Sequence, residues 1–436
     1  MTNRRGAGVL LQRNFAPYFV GSLVSYSGTW FQNIAQSLLV YRLTDSTFMV
    51  GVINFAQFAA ILLLSPLSGV AADRFDRRKL IVVTHIGASA FTLLLAMLTW
   101  TDHITSWLAI FFAFGIGTTT ALSLPAMQAM VPMLVSSEDL PAAVALNTVT
   151  FNFSRALGPV LGVVVITHWD IGTAFFLNSL SYLVMIAGVL LVLPRGQTVV
   201  GRAKLRDSLA MINSGRELRT MIILVALISF TVDPINTLTP GFATEIFDRM
   251  DTFTGFLIGA FGAGAVVGAF LLATAWRPSH RRMGLTLCFF AAMMIGFGLS
   301  SDPTLGIVFL FLAGIGFLLS QSSATIIVQM SIDDAHRGRV MALWTVAYLG
   351  VRPLASLIDG TAATLFGLRF AAVLMTVPTL IGAVMVFRLI ARTRSSSPVT
   401  APEEHPLEIP GAPEQQLIGD QLPAKRLTTE SRGDRS

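Results

Sequence analysis

Apolar runs long enough to cross a bilayer, parted by short charged loops, leave this chain few folds to choose from. The clearest boundary is Gly69-Val-Ala-Ala-Asp73-Arg74-Phe-Asp76-Arg77-Arg78-Lys79, set between the apolar segments 48–71 and 80–100. In hydrocarbon, backbone polar groups must be satisfied within the segment, so such runs become helices. The charged stretch between them must sit in water. Four of its side chains are cationic, which places the loop on the cytoplasmic side by the positive-inside rule.

Twelve spans can be marked, each long enough for a core of about 30 Å at 1.5 Å per residue. They are 17–41, 48–71, 80–100, 106–131, 141–167 and 171–193, then 219–246, 253–275, 283–301, 304–330, 338–366 and 369–391, with interruptions expected around Pro125, Pro234 and Pro240. With the N-terminus inside, about 25 of the 30 Lys and Arg fall on one side of the membrane. The other side receives Arg42, Arg249 and Arg369, while Arg155 and Arg352 lie within spans. This split predicts an all-α integral membrane protein with both termini cytoplasmic. Charged residues make up 12% of the chain against roughly 25% in a soluble protein. A net charge of +6 would suggest nucleic acid in a soluble chain. Here the cations mark orientation, and no nucleic-acid partner is expected.

Cys288 is the only cysteine and lies in an apolar run, so an internal disulfide or cysteine metal site is ruled out. His85, His103, His168, His280, His336 and His405 show no ligand spacing, and no metal or other cofactor is expected. Arg4, Arg5 and Arg13 lead into a full-length span rather than the short apolar core of a cleavable signal. The polar stretch 194–218 divides six spans from six, so 1–193 and 219–391 are expected to form two six-helix bundles. The tail 392–436, without apolar periodicity, is expected to be disordered and cytoplasmic.

Halves of similar size invite a search for a repeat. At an offset of 197, Val144-Ala-Leu-Asn-Thr-Val149 matches Met341-Ala-Leu-Trp-Thr-Val346, and Arg155 falls on Arg352. Earlier in the halves an offset of 204 carries Gly51 onto Gly255 and Arg77-Arg78 onto Arg281-Arg282. Two pseudo-symmetric bundles joined by duplication are the expected architecture.

A helix lining an aqueous cavity carries polar side chains at helical spacing. Span 1 has Ser22, Ser25, Thr29, Asn33 and Gln36; span 2 has Asn54, Gln57, Ser65 and Ser68. Span 7 has Ser229, Asp233 and Asn236, and span 10 has Gln321, Thr325 and Gln329. Trp344, Tyr348, Arg352 and Asp359 are expected along one face of span 11. Such groups line a cavity or hold helix to helix at about 0.6 kcal/mol each. The stripes together favour a cavity. An arginine within a span costs at least roughly 2.5–3.5 kcal/mol, so Arg155 and Arg352 are expected to be paired. Asp233 is the candidate counter-ion to Arg352, either as a permanent ion pair or as one that protonation releases. Gly262-Ala-Gly264-Ala-Val-Val-Gly268 mimics a dinucleotide loop but lies within an apolar span, and reads as tight helix packing.

The pattern formed by Gly69, Asp73, Arg74, Arg77 and Arg78 resembles the loop signature of the major facilitator superfamily. The resemblance implies that the glycine lets the end of helix 2 approach a neighbour and that the Asp and Arg residues form a charge latch. Asp76 departs from the pattern, which prefers glycine there. Arg155-Ala-Leu-Gly158-Pro159-Val-Leu-Gly162 resembles the G-P-x-x-G core found in the family's antiporters, with Val163 where a second glycine usually follows. Its proline would bend either a moving gate or a static helix. Gly28-Thr-Trp30-Phe-Gln32-Asn33, Pro125-Ala-Met-Gln128-Ala-Met-Val-Pro132 and Arg337-Gly-Arg339-Val-Met-Ala-Leu343 are similar to the enterobactin-exporter and macrolide-efflux branch.

The resemblance implies a secondary active transporter of the bacterial cytoplasmic membrane, exporting a small hydrophobic or amphipathic molecule, drug or siderophore. Its expected partners are that substrate, protons as coupling ion and the lipid bilayer, and a monomer is expected. The arginine motif that many drug:proton antiporters carry in span 4 is missing, so their coupling route does not carry over. An importer or lipid flippase on the same scaffold is the alternative, and a non-transporting membrane receptor a further one. No nucleophile–base arrangement points to an enzyme.

Overall fold

Many of the apolar runs begin where a side chain closes the first turn. Ser46 accepts from the Met49 amide at 3.4 Å, Asp76 from Lys79 at 2.9 Å and Thr105 from Leu108 at 3.3 Å. Asp170, Ser279 and Asp302 do the same for Thr173, Arg282 and Leu305 at 2.6, 3.3 and 2.9 Å. Each cap satisfies an amide that the start of a helix leaves without a partner. Asp76 therefore does at the start of the third helix what the glycine of the family pattern would not.

The computed structural model describes residues 8–136, 138–193, 215–250, 252–332 and 334–395, and among them every regular element is helical. The first half comprises α1 (Ala16–Thr44), α2 (Thr47–Arg74), α3 (Arg77–Trp100), α4 (Ser106–Leu134), α5 (Leu140–His168) and α6 (Ile171–Leu191). In the second half α7 (Arg216–Val232) continues through short turns at Pro234–Thr237 and Thr239–Gly241 into a π-helical turn, Phe242–Ile246. Then come α8 (Phe253–Thr274), α9 (His280–Leu299) and α10 (Pro303–Met330). The helix α11 is in two pieces, Asp334–Gly350 and Arg352–Phe366, and so is α12, Leu368–Leu374 and Val377–Ser395. The linker up to residue 214 and the tail beyond 395 lie outside the described residues.

Among the described residues ten helices meet a length and composition test for crossing a membrane. The other two spans are α1, whose polar stripe dilutes its hydropathy, and α11, whose pieces of 17 and 15 residues are each too short. Together they make the twelve helices of an all-α membrane fold. The interruption expected at Pro125 is absent, for α4 runs unbroken through Pro125 and Pro132. Membrane helices tolerate proline where neighbours re-satisfy the freed carbonyls. Breaks do fall where expected at Asp233-Pro234 and at Leu238 before Pro240, and a further one falls at Val351, two residues before Pro353. Proline cannot donate to the carbonyl four residues back, so each of these ladders is cut there.

The repeat shows in the packing. In the first half α2 lies against α4, and α3 against α4 and α6; in the second, α8 lies against α10, and α9 against α10 and the first piece of α12. A methyl placed on Gly117 of α4 would lie 2.2 Å from the Gln57 carbonyl oxygen of α2, and one on Gly314 of α10 would lie 2.0 Å from that of Phe261 in α8. Gly314 and Phe261 stand at offsets of 197 and 204 from Gly117 and Gln57, the offsets of the repeat. Gly264, in the stretch that mimics a nucleotide loop, has the Phe311 carbonyl oxygen 1.8 Å from its would-be methyl. Small residues here bring two helices to backbone contact.

The halves meet where α2 packs on α11 and α5 on α8. Close approaches gather toward the face opposite the Arg77 loop. Methyls on Gly51 and Gly360 would lie 2.4 Å from the Ser356 carbonyl oxygen and 2.9 Å from the Phe48 Cα. One on Gly255 would lie 2.0 Å from a methyl of Val163, so the residue that replaces the family's glycine in α5 is seated against a glycine in α8. Tyr41, at the end of α1, bonds Thr244 at 2.6 Å and donates to Glu245 at 3.2 Å.

Candidate functional site

Two of the helix breaks face one another. Asp233 ends the first piece of α7 and Arg352 begins the second piece of α11, each only 1% exposed. Arg352 Nε lies 3.6 Å from Asp233 Oδ1. The other carboxylate oxygen accepts from Ser356 Oγ at 2.5 Å and Thr237 Oγ1 at 3.2 Å. Asp233 is thus held by one cation and two hydroxyls, while Arg352 Nη1 has no hydrogen-bond partner. A buried pair of this kind depends on such extra donors, because desolvating two ions costs several kcal/mol apiece.

Arg155, near the middle of α5, approaches the same place from the first half. Its guanidinium carbon lies 4.4 Å from the ring centre of Phe317, 5.3 Å from Tyr348 and 5.8 Å from Trp30. That of Arg352 lies 4.6 Å from Phe58, 5.8 Å from Trp30 and 6.0 Å from Tyr348. The two cations therefore share Trp30 and Tyr348. Trp344 stacks on Tyr348 at 5.4 Å and 21°. A cation over a desolvated ring gains about 2 kcal/mol. Arg155, expected to be paired, has aromatic faces and no carboxylate beside it among the described residues, and its Nη2 is shielded without a hydrogen-bond partner.

The other candidates divide. Gln57 donates to Asn33 at 2.9 Å and Asn54 to Ser37 at 3.4 Å, so these amides tie α1 to α2. Gln36 is buried with both amide atoms unpartnered. Asp359 lies about two turns beyond Arg352, fully buried, with neither oxygen hydrogen-bonded. The break at Val351 separates Trp344 and Tyr348 from Arg352 and Asp359, which the sequence reading had placed on one continuous helix.

Of the gating motifs, Gly158 and Pro159 sit where α5 crosses α1, a methyl on Gly158 falling 2.6 Å from Trp30 Cβ. Arg77 donates to the Ala129 carbonyl at 3.5 Å, and Arg78 to that of Leu190. Arg74 is exposed, and the Asp73 side chain lies outside the described residues. A methyl on Gly69 would meet nothing within 4 Å among the described residues, so α2 is not packed against a neighbour there in this state. Sequence reading missed Phe58, Phe317, Ser356 and Thr237. The first two are apolar among apolar neighbours and gave no signal. The hydroxyls did carry one, since Thr237 stands four residues after the Asp233 it braces and Ser356 four residues after Arg352, the partner of the same carboxylate.

Twelve helices in two repeats, with charged and aromatic side chains meeting between them, define a transporter of the major facilitator fold. The chain belongs to the transmembrane secretion effector family of that superfamily, whose family model matches residues 7–413. It is a multi-pass membrane transporter of small molecules, not an enzyme. It is 24% identical to the staphyloferrin A transporter of Staphylococcus aureus over 86% of this chain and 96% of that one. It is 25% identical to the enterobactin exporter of Citrobacter koseri over 90% and 96%. Among solved structures, a bacterial homologue of the human lysosomal transporter Spinster, inward-facing and unoccupied, superposes with a TM-score of 0.68 at 15% identity, over 90% of this chain and 98% of that one.

Proposed function

We propose that this chain is a secondary active exporter of a small amphipathic molecule in the bacterial cytoplasmic membrane, with both termini cytoplasmic and protons as the coupling ion. Two bundles, within 1–193 and 219–391, rock about the cluster between them, joined by the linker 194–218. The carrying observation is the buried Arg352–Asp233 pair at two facing helix breaks. Protonation of Asp233 releases Arg352, and the freed helix pieces move. Close contacts on the face opposite the Arg77 loop favour a state that loads from the cytoplasm. The loop residues Asp73, Arg74, Arg77 and Arg78 would latch that side when it closes. A relative named as an enterobactin exporter supports the outward direction. The electrical part of the driving force is about 2.3 kcal/mol per charge per 100 mV.

The test compares accumulation of labelled candidate cargoes in cells with and without the gene, with and without an uncoupler. An exporter lowers accumulation in an uncoupler-sensitive way; unchanged accumulation would favour a receptor. Asp233→Asn should abolish the uncoupler-sensitive component, and full proton-dependent transport by that variant would end the coupling proposal.

A further inference from the structure

The cluster holds two arginines and one carboxylate. The repeat explains the shortfall. At the offset of 204 that relates the early helices, Asp233 corresponds to Thr29, and at 197 Arg352 corresponds to Arg155. The first offset holds in space, for Tyr41 bonds its own counterpart, Glu245, as residues near a pseudo-two-fold axis should. Each half therefore keeps its arginine, but only the second keeps the acid. Thr29 instead donates to the Ser25 carbonyl at 2.9 Å and bonds the Tyr182 hydroxyl at 3.3 Å.

Most of the unsatisfied groups at the cluster are donors. Arg155 Nη2, Arg352 Nε and Nη1 and Trp344 Nε1 have no hydrogen-bond acceptor, the Tyr348 hydroxyl beside them is unpartnered, and the one unbonded acceptor there, Asp233 Oδ1, already faces Arg352 Nε. Arg352 is 1% and Tyr348 2% exposed, and although the Arg155 and Trp344 side chains are only half-buried, their Nη2 and Nε1 atoms are shielded, so bulk water does not serve these groups. Around them stand the faces of Trp30, Phe58, Phe317 and Tyr348. A buried guanidinium needs a counter-charge, and aromatic walls take flat, apolar bodies. Asp359 does not supply that charge, lying about two turns further along α11 toward the closed face.

We propose that the cargo is an organic anion with a flat aromatic body, its acidic head bound by Arg155 and its ring held against Trp30 and Tyr348. This rests on reading the cluster as the cargo site of the transporter proposed above. Arg155 is the specificity residue, because Arg352 is already engaged by Asp233. A cationic body of the same shape would meet two like charges and be rejected.

The test uses the purified full chain in detergent and two dyes that share a xanthene body, anionic fluorescein and cationic rhodamine 6G, with affinity read by fluorescence anisotropy. Fluorescein should bind at least tenfold more tightly than rhodamine. Arg155→Gln should weaken fluorescein at least tenfold without weakening rhodamine, and Arg155→Lys should restore part of the loss. Rhodamine binding as well as fluorescein, binding of neither, or an Arg155→Gln variant within twofold of the parent overturns the inference. If Arg155→Gln fails to fold, the two dyes on the unaltered chain decide it. Uncoupler-sensitive export of a cationic drug would leave the transport reading standing while ending this one.

Discussion

Gly51 and Gly255 occupy equivalent places in the repeat, and both hold the halves together on the face away from the Arg77 loop. A methyl on Gly51 would lie 2.4 Å from a backbone carbonyl oxygen, and one on Gly255 2.0 Å from a Val163 methyl. Ordinary contact begins near 3.4 Å, so either alanine overlaps its neighbour by an ångström or more. Overpacking of that size costs typically 1–3 kcal/mol. If α2 and α11, or α5 and α8, separate in the opposite-facing state, the cost falls on the closed state alone. A differential of that size shifts the population about 5–150-fold. Gly264→Ala is the control, because its clash with the Phe311 carbonyl lies within one half and is present in both states. Spin labels at Thr44 and Arg249, in a Cys288→Ser background, report the separation across the closed face. Gly51→Ala and Gly255→Ala should each lengthen that distance, whereas Gly264→Ala should lower thermal stability and leave it unchanged. A distance distribution unaltered in both variants would refute the reasoning.

Removing the cap in Asp76→Ala should cost about 1 kcal/mol, whereas Asp76→Gly, the residue of the family pattern, should lose only a few tenths; thermal melting of the two variants checks this. Asp233→Ala should destabilise by about 3–5 kcal/mol because it leaves Arg352 buried and unpaired, and the double variant Asp233→Ala/Arg352→Met should recover much of that loss in the same assay. Asp359→Asn should fold at least as stably as the parent, since neither carboxylate oxygen has a hydrogen bond to lose. Tyr41→Phe removes the bonds to Thr244 and Glu245 and should raise labelling of a cysteine at Ser37 from the outer side several-fold, at about 0.5–1.5 kcal/mol per bond.

The spans were legible because hydrocarbon demands length and apolarity in one continuous run; the caps at Ser46, Asp170 and Asp302 that fix where runs start were not read from the sequence. Arg352 and Asp233 were legible as partners because a charge inside a span requires an explanation. Arg155 misled for the same reason. The rule demands a partner but cannot say whether it is an acid or a ring, and Phe58 and Phe317 look like any other apolar residue. The break at Val351 was missed because α11 was read by hydropathy, which is blind to the carbonyl that Pro353 leaves unserved. Gly69 was read from a motif, yet whether a glycine admits a neighbour depends on where that neighbour stands.

At the cluster, one carboxylate separates the two copies of this duplicated scaffold, with Thr29 in the first and Asp233 in the second. A gene carrying Thr29→Asp together with Asp233→Thr would therefore encode the mirror image of the present arrangement, with Arg155 tethered and Arg352 free. The two arrangements are related by the pseudo-two-fold of the repeat, so a chain with the anchor in the first half would carry its acid at position 29 rather than 233.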